Sequence, residues 1–243
     1  MPDSDNAGSD RLVVAIDGPA GVGKSTVAQM VAAELSYAYI DTGAMYRAVT
    51  FKALRKKVNT EDDHAVAGLA REALIEERYN PTGRVKLRTF LDGREVTREI
   101  RTPRVSNYVS RVSANPGVRT ELVKLQRRLL KGGGVVIEGR DMGTIVAPDA
   151  DIKIFLTASV SERARRRHGD LLEAGIDIPL ETLRNEIARR DHADSTRKES
   201  PLSMARDALR IDTTGMNAEE VAAEIVKRCR KKEKGSKAAS RRS

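Results

Sequence analysis

Eight consecutive residues, Gly18-Pro19-Ala20-Gly21-Val22-Gly23-Lys24-Ser25, combine glycines, a lysine and a hydroxyl at the spacing that grips a polyphosphate. The apolar run Leu12 to Ile16 precedes them and a helix-like stretch from Lys24 to Leu35 follows, giving the strand, loop and helix order of a P-loop. Backbone N–H groups of such a loop point at the phosphates, and the start of the helix adds positive dipole. Lys24 reaches the β and γ phosphates, Ser25 offers its hydroxyl to Mg²⁺, and Thr26 extends the cradle into the first helical turn. A nucleoside triphosphate carrying Mg²⁺ is the expected ligand.

Other residues narrow the class of P-loop protein. A guanine-reading Asn-Lys-x-Asp run is missing, which argues against a switch GTPase, and Asp212-Thr213-Thr214-Gly215 reads as a turn after the last strand. His64, His168 and His192 are scattered among polar residues without metal-ligand spacing. Asp17 and Glu138 end two strands beside the loop, where each either reaches Mg²⁺ through water or hydrogen-bonds the loop itself.

The elements that must position this loop are legible from periodicity. Short apolar runs at Leu12 to Ile16, Val135 to Ile137 and Ile152 to Leu156 read as buried parallel strands, with a last strand at Ala208 to Ile211. Helical spacing covers Lys24 to Leu35, Ala44 to Leu54, Val118 to Leu130, Val160 to Ala174, Leu180 to Arg190 and Ala218 to Cys229. Helix-like His64 to Glu77 leads into Arg84 to Thr97, which alternates around Asp92-Gly93, a strong hairpin dipeptide. The expected architecture is α/β: a three-layer P-loop NTPase core with a parallel sheet, an inserted subdomain and a short lid.

Boundaries follow from that pattern. Residues 1–10 are expected as a disordered tail, 11–59, 126–160 and 202–226 as the core, 60–125 as the insertion, 161–201 as the lid, and 227–243 as a disordered basic tail. Of the formal charge of +9, most resides in that last segment, where nine Lys/Arg face one Glu, so the folded part is nearly neutral. With 3% aromatic residues and no Trp, there is little material for stacking bases, so no specific nucleic-acid partner is expected. One cysteine, no apolar stretch of about 20 residues and no secretory h-region point to a soluble cytoplasmic protein without membrane contact.

Three motifs on the acceptor side then occur in order: Asp41-Thr42-Gly43-Ala44-Met45-Tyr46-Arg47, Glu138-Gly139-Arg140-Asp141-Met142-Gly143-Thr144 and Arg190-Asp191-His192-Ala193-Asp194-Ser195-Thr196-Arg197. Together with the P-loop, the chain from about Leu12 to Ile225 resembles the bacterial cytidylate kinases. The resemblance implies ATP as donor and CMP or dCMP as acceptor, with the insertion holding the nucleoside monophosphate, and nothing in the sequence points beyond a monomer. It also implies CMP contacts from Thr42, Arg47, Ser110, Arg119, Arg140, Asp141, Arg190, Asp194 and Arg197, of which Arg140 and Arg190 join Lys24 in catalysis. Arg163 and Arg166, nearly one helical turn apart, are expected to clamp ATP phosphates. Two alternatives remain at this point: a P-loop kinase with another small acceptor, and a P-loop RNA-associated factor anchored by its basic tail.

Overall fold

Gly18 occupies a position no other residue fits, because a Cβ there would lie 2.4 Å from the Leu156 carbonyl oxygen. Its φ of 151° and the φ of 93° at Gly23 turn the chain sharply from a strand into a helix that begins at Lys24. In the computed structural model, which describes residues 11–173 and 175–240, the chain order is β1 (Val13–Asp17), α1 (Lys24–Leu35), β2 (Ala38–Asp41), α2 (Thr42–Arg55), α3 (Asp63–Arg71), β3 (Ile75–Tyr79), β4 (Leu87–Leu91) and β5 (Arg94–Glu95). It continues with α4 (Pro103–Ala114), α5 (Pro116–Leu129), β6 (Val135–Gly139), β7 (Ile152–Thr157), α6 (Val160–Glu173), α7 (Leu180–Thr196), β8 (Leu209–Asp212) and α8 (Ala218–Ser240).

Five strands form one sheet in the order β2-β6-β1-β7-β8, and β1 pairs in parallel with β6 and β7, as β7 does with β8. The register aligns Asp17 with Gly139 and Phe155, so β1 and β6 end level where the P-loop begins, while β7 runs on to Thr157. Ligands of open α/β sheets sit at such carboxyl ends. Burial explains the continuous apolar runs: Val14, Ala15, Ile16, Val136, Ile137, Ile154 and Leu156 have almost no exposed surface.

The chain divides into two compact units. One takes the residues up to Ala38, then Gly132–Thr196, and resumes at Pro201; the other comprises Tyr39–Lys131 and Arg197–Ser200. The insertion therefore starts at Tyr39 rather than near residue 60, since α2 packs with α4 and α3 inside the second unit. In the first unit, α6 and α7 form a hairpin around Ala164, Leu183 and Ile187, covering most of the expected lid.

Further local differences have physical causes. The helix expected over His64 to Glu77 is α3 followed by a strand: Asp62 caps α3 at Ala65 N, and beyond Arg71 the chain pairs Ile75 to Leu91 and Tyr79 to Leu87. Asp92 and Gly93 turn that antiparallel sheet with φ of 51° and 80°, the double left-handed geometry of a two-residue hairpin loop. Helix α4, unmarked in the sequence reading, starts at Pro103 behind the Thr102 cap. The segment from Lys227, expected to be disordered, is helical to Ser240, because α8 is pinned beyond Cys229 by Arg230 to Glu34, Lys232 to the Asp151 carbonyl and Glu233 to Tyr37. The N-terminal tail 1–10 and Arg241 to Ser243 lie outside the described residues.

Candidate active site

Lys24, the first residue of α1, is buried, and its ammonium donates to the Pro19 carbonyl at 2.8 Å. Burial first, then the guanidiniums of Arg140 and Arg190, push it down from 10.5 to about 7, against the opposing pull of Glu138 and Asp17. Lys24, Arg140 and Arg190 are thus close enough at one end of the first unit to repel one another, with Glu138 and Asp17 offsetting part of that repulsion. Such a cluster is stabilised by an incoming polyanion.

Asp17 bonds the turn after β6 rather than the glycine loop. Its carboxylate accepts from Met142 N and Gly143 N, both at 2.8 Å, and so caps a single π-helical turn at Met142–Val146. Burial raises its pKa from 3.8 to about 6 despite those two bonds. The turn hangs from Asp141, a buried residue whose carbonyl accepts from Ile145 N at 2.9 Å. Ser25 is half-buried in the first turn of α1, and one hydroxyl there suits an Mg²⁺ that arrives already bound to phosphates and water. Among the described residues no group of three His, Cys, Asp or Glu assembles a separate cation site.

Arg140 follows β6 and is held by two bonds, Nε to Asp194 Oδ2 at 2.9 Å and Nη1 to the Gly139 carbonyl at 3.2 Å. Asp194 is buried on α7, one turn from Asp191, and Asp191 forms a two-pronged pair with Arg163 at 3.0 and 2.6 Å. Arg163 and Arg166 reach the P-loop through its carbonyls, Ala20 O at 3.0 Å and Val22 O at 3.4 Å.

The second unit gathers a different set. Arg47 on α2 donates to the Ile100 carbonyl at 3.2 Å and to Ser106 Oγ at 2.9 Å, while Thr42 is buried in the first turn of the same helix. Arg119 is buried, its guanidinium lies 5.5 Å from the Tyr46 ring centre, and it donates to Ser113 O and to Ser200 Oγ, each at 3.2 Å. Arg197 donates to the Ser200 carbonyl at 2.6 Å, so both arginines are held by one serine in the left-handed conformation, φ 49°. Ser110 is half-buried on α4.

Sequence reasoning passed over Asp191, Ser200 and Arg101. Arg101 pairs with Asp41 at 3.0 Å, the residue that also caps α2. Asp191 stood inside a quoted motif, whereas Ser200 and Arg101 carried no local signal.

The model of the family described as cytidylate kinase matches residues 14–231. The chain belongs to the cytidylate kinase family. A cytidylate kinase of Geobacillus sp. (strain WCH70) is 51% identical over 217 residues, covering 89% of this chain and 96% of its own. One from Ligilactobacillus salivarius (strain UCC118) is 50% identical over 216 residues, covering 89% of this chain and 95% of its own. As a cytidylate kinase relative the protein is a transferase of the kinase class, and the resemblance read from its motifs holds. A parallel five-stranded sheet with its glycine loop at the carboxyl edge agrees with the expected α/β class.

The depressed Lys24 gives a pH expectation. A polyphosphate restores the ammonium, so binding takes up a proton between the free-state value of about 7 and the ordinary 10.5. Nucleotide affinity should be independent of this group below about pH 7 and fall as pH rises through that window. Calorimetric titration in buffers of different ionisation enthalpy measures the uptake directly. An affinity that stays level to about pH 9, with no proton taken up, contradicts the assignment.

Proposed function

We propose that this protein transfers the terminal phosphoryl group of ATP to a phosphate oxygen of CMP or dCMP, producing ADP and CDP or dCDP. The carrying observation is the buried Lys24 of the glycine loop, whose ammonium burial and the nearby Arg140 and Arg190 disfavour, so that an incoming polyphosphate restores its charge. The acceptor's phosphate is already mostly ionised at neutral pH, since the second pKa of a monoester is about 6. No general base is needed, and the rate comes from alignment and from positive charge on the equatorial oxygens of a loose transition state.

Roles divide accordingly. Gly18 to Thr26 hold ATP, with Lys24 on the β and γ phosphates, and Arg163 and Arg166 belong to the same ATP side. Ser25 is the residue that would hold Mg²⁺, and when bound the ion supplies positive charge to the donor's phosphates. Arg47 and Arg140 grip the CMP phosphate, their planar forks suiting two oxygens at once. Thr42 belongs to the same CMP set, and Arg190 and Asp194 reach the ribose and phosphates.

Cytosine offers an N4 amine donor and acceptors at N3 and O2. Asp141 and Ser110 take the amine, and Arg119 and Arg197 donate to the acceptors. The bonds of both arginines to Ser200, and the Tyr46 ring beside Arg119, support this reading by fixing two donors in advance. Uracil would turn O4 toward the Asp141 carboxylate and N3–H toward an arginine.

One mismatched polar group in a buried pocket costs about 1–3 kcal/mol, so CMP should outrun UMP by about 10-fold to 100-fold in kcat/KM. A screen of CMP, dCMP, UMP, AMP and shikimate, read by ADP release, tests this, and equal turnover of UMP removes the base assignment. We place the reaction in cytoplasmic pyrimidine nucleotide metabolism, carried out by a monomer. A lone cysteine, Cys229, with no second thiol in the sequence to pair with, supports a reducing compartment.

A further inference from the structure

Two arginines of α6 spend their hydrogen-bonding capacity on the protein itself. A guanidinium has five N–H donors. Arg166 directs bonds to Glu162 Oε1 at 2.8 Å, Val22 O at 3.4 Å, Thr213 Oγ1 at 3.2 Å, Thr213 O at 2.7 Å and Met216 O at 3.4 Å, which accounts for all five. Arg163 is buried and directs four, to Ala158 O at 3.1 Å, Ala20 O at 3.0 Å and the two oxygens of Asp191 at 3.0 and 2.6 Å. Arg166 has no N–H left over for a phosphate, and Arg163 has one, fewer than the two a planar fork uses to clamp a phosphate.

Their targets in the loop are informative. Ala20 O belongs to the peptide that carries the Gly21 N–H, and Val22 O to the one that carries the Gly23 N–H. Every described peptide is trans, and in a planar trans peptide the C=O and N–H point in opposite directions. Anchoring the carbonyl of each peptide on α6 therefore aims the adjoining N–H away from α6. Gly21 and Gly23 have φ of 75° and 93°, and glycine by itself sets no preference that would hold those planes. An outside grip has to supply the order.

We infer that Arg163 and Arg166 are positioning residues that fix the peptide planes 20–21 and 22–23, so that the Gly21 and Gly23 amides stand ready for the nucleotide's phosphates, without themselves touching those phosphates. Asp191 extends the device: it orients Arg163 from α7, the helix that also carries Arg190 and that grips Arg140 through Asp194. The α7 helix thus sets the donor loop and the acceptor arginine together. This inference rests on the reading of the loop as an ATP site, yet part of it is measurable without any nucleotide.

The test compares Arg163→Met, Arg166→Met and Asp191→Asn with the parent by amide NMR of the ligand-free protein and by ADP, ATP and CMP titration. Expected are displaced Gly21 resonances in Arg163→Met and displaced Gly23 resonances in Arg166→Met before nucleotide is added. ADP and ATP affinities should fall together, by about tenfold to a hundredfold, because the loop cradles phosphates that both share, and CMP binding should hold. Asp191→Asn keeps Arg163 in place but weakens its hold, so it should show a smaller effect of the same kind even if an arginine variant folds poorly. Unmoved ligand-free amides with a loss confined to ATP would overturn the inference in favour of direct phosphate contact. If the parent protein binds no ATP, the functional reading fails instead, while the ligand-free spectra still decide whether the brace exists.

Discussion

Replacing Lys24 with alanine should lower kcat for ADP formation by about 10³-fold while the affinity for CMP changes by less than about threefold. Lys24 is the only cation supplied by the glycine loop itself, and its ammonium, hydrogen-bonded to Pro19 O, is aimed across that loop. In a dry site, a preorganised charge on the transferring group is worth far more than in water. CMP is held by other residues, which is why its binding should survive. Stability separates this loss from unfolding. Burial and the neighbouring Arg140 and Arg190 oppose the charged ammonium, so its removal relieves crowding, and the thermal midpoint should hold or rise. Parallel collapse of CMP binding, measured by calorimetry, would contradict the division of the site into donor and acceptor sides.

The donor side was legible because its chemistry is written in consecutive residues. The spacing sets α1 from Lys24 to Leu35, and the structure has the same bounds. At β1 the reading began one residue early, at Leu12, whose N–H bonds the Tyr37 hydroxyl while its carbonyl accepts from Gly134 N and Val135 N at the entry to β6. Ile75 to Glu77 read as helix because the spacing before them runs on. Val66, Leu69 and Ala70 continue with apparent helical spacing to Leu74, but Leu74 is 71% exposed and marks the place where the period changes from helix to strand.

What escaped the sequence depends on distant partners. Ser200 holds Arg119 across 81 positions and Asp191 holds Arg163 across 28, and neither partner carries a local pattern that announces it. The basic end of the chain illustrates the same limit. Its charges suggested a solvated coil, yet the apolar stripe of Val221, Ala222, Ile225, Val226 and Cys229 buries one face of α8, and polar anchors on α1, Tyr37 and Asp151 carry the helix onward. Composition weighs the charges but not the surfaces they meet.

Arg140 should give the largest loss on the acceptor side. It directly follows a fully buried strand, with Nε tied to Asp194 at 2.9 Å and Nη1 to Gly139 O at 3.2 Å, so the plane of the fork is fixed before any ligand arrives. A fork set in this way can hold two phosphate oxygens and with them the in-line angle of attack, and a misplacement of about 1 Å can cost 10²-fold. Arg140→Met should therefore reduce kcat/KM for CMP by about 10²-fold to 10³-fold with ATP affinity little changed. Arg140→Lys should recover only a small part, because an ammonium restores the charge but neither the plane nor the bond to Asp194 in its present geometry. Charge alone predicts the opposite, near-complete recovery by lysine. Steady-state kinetics of the two variants, with ATP held saturating, distinguishes a site that works by alignment from one that works by net charge.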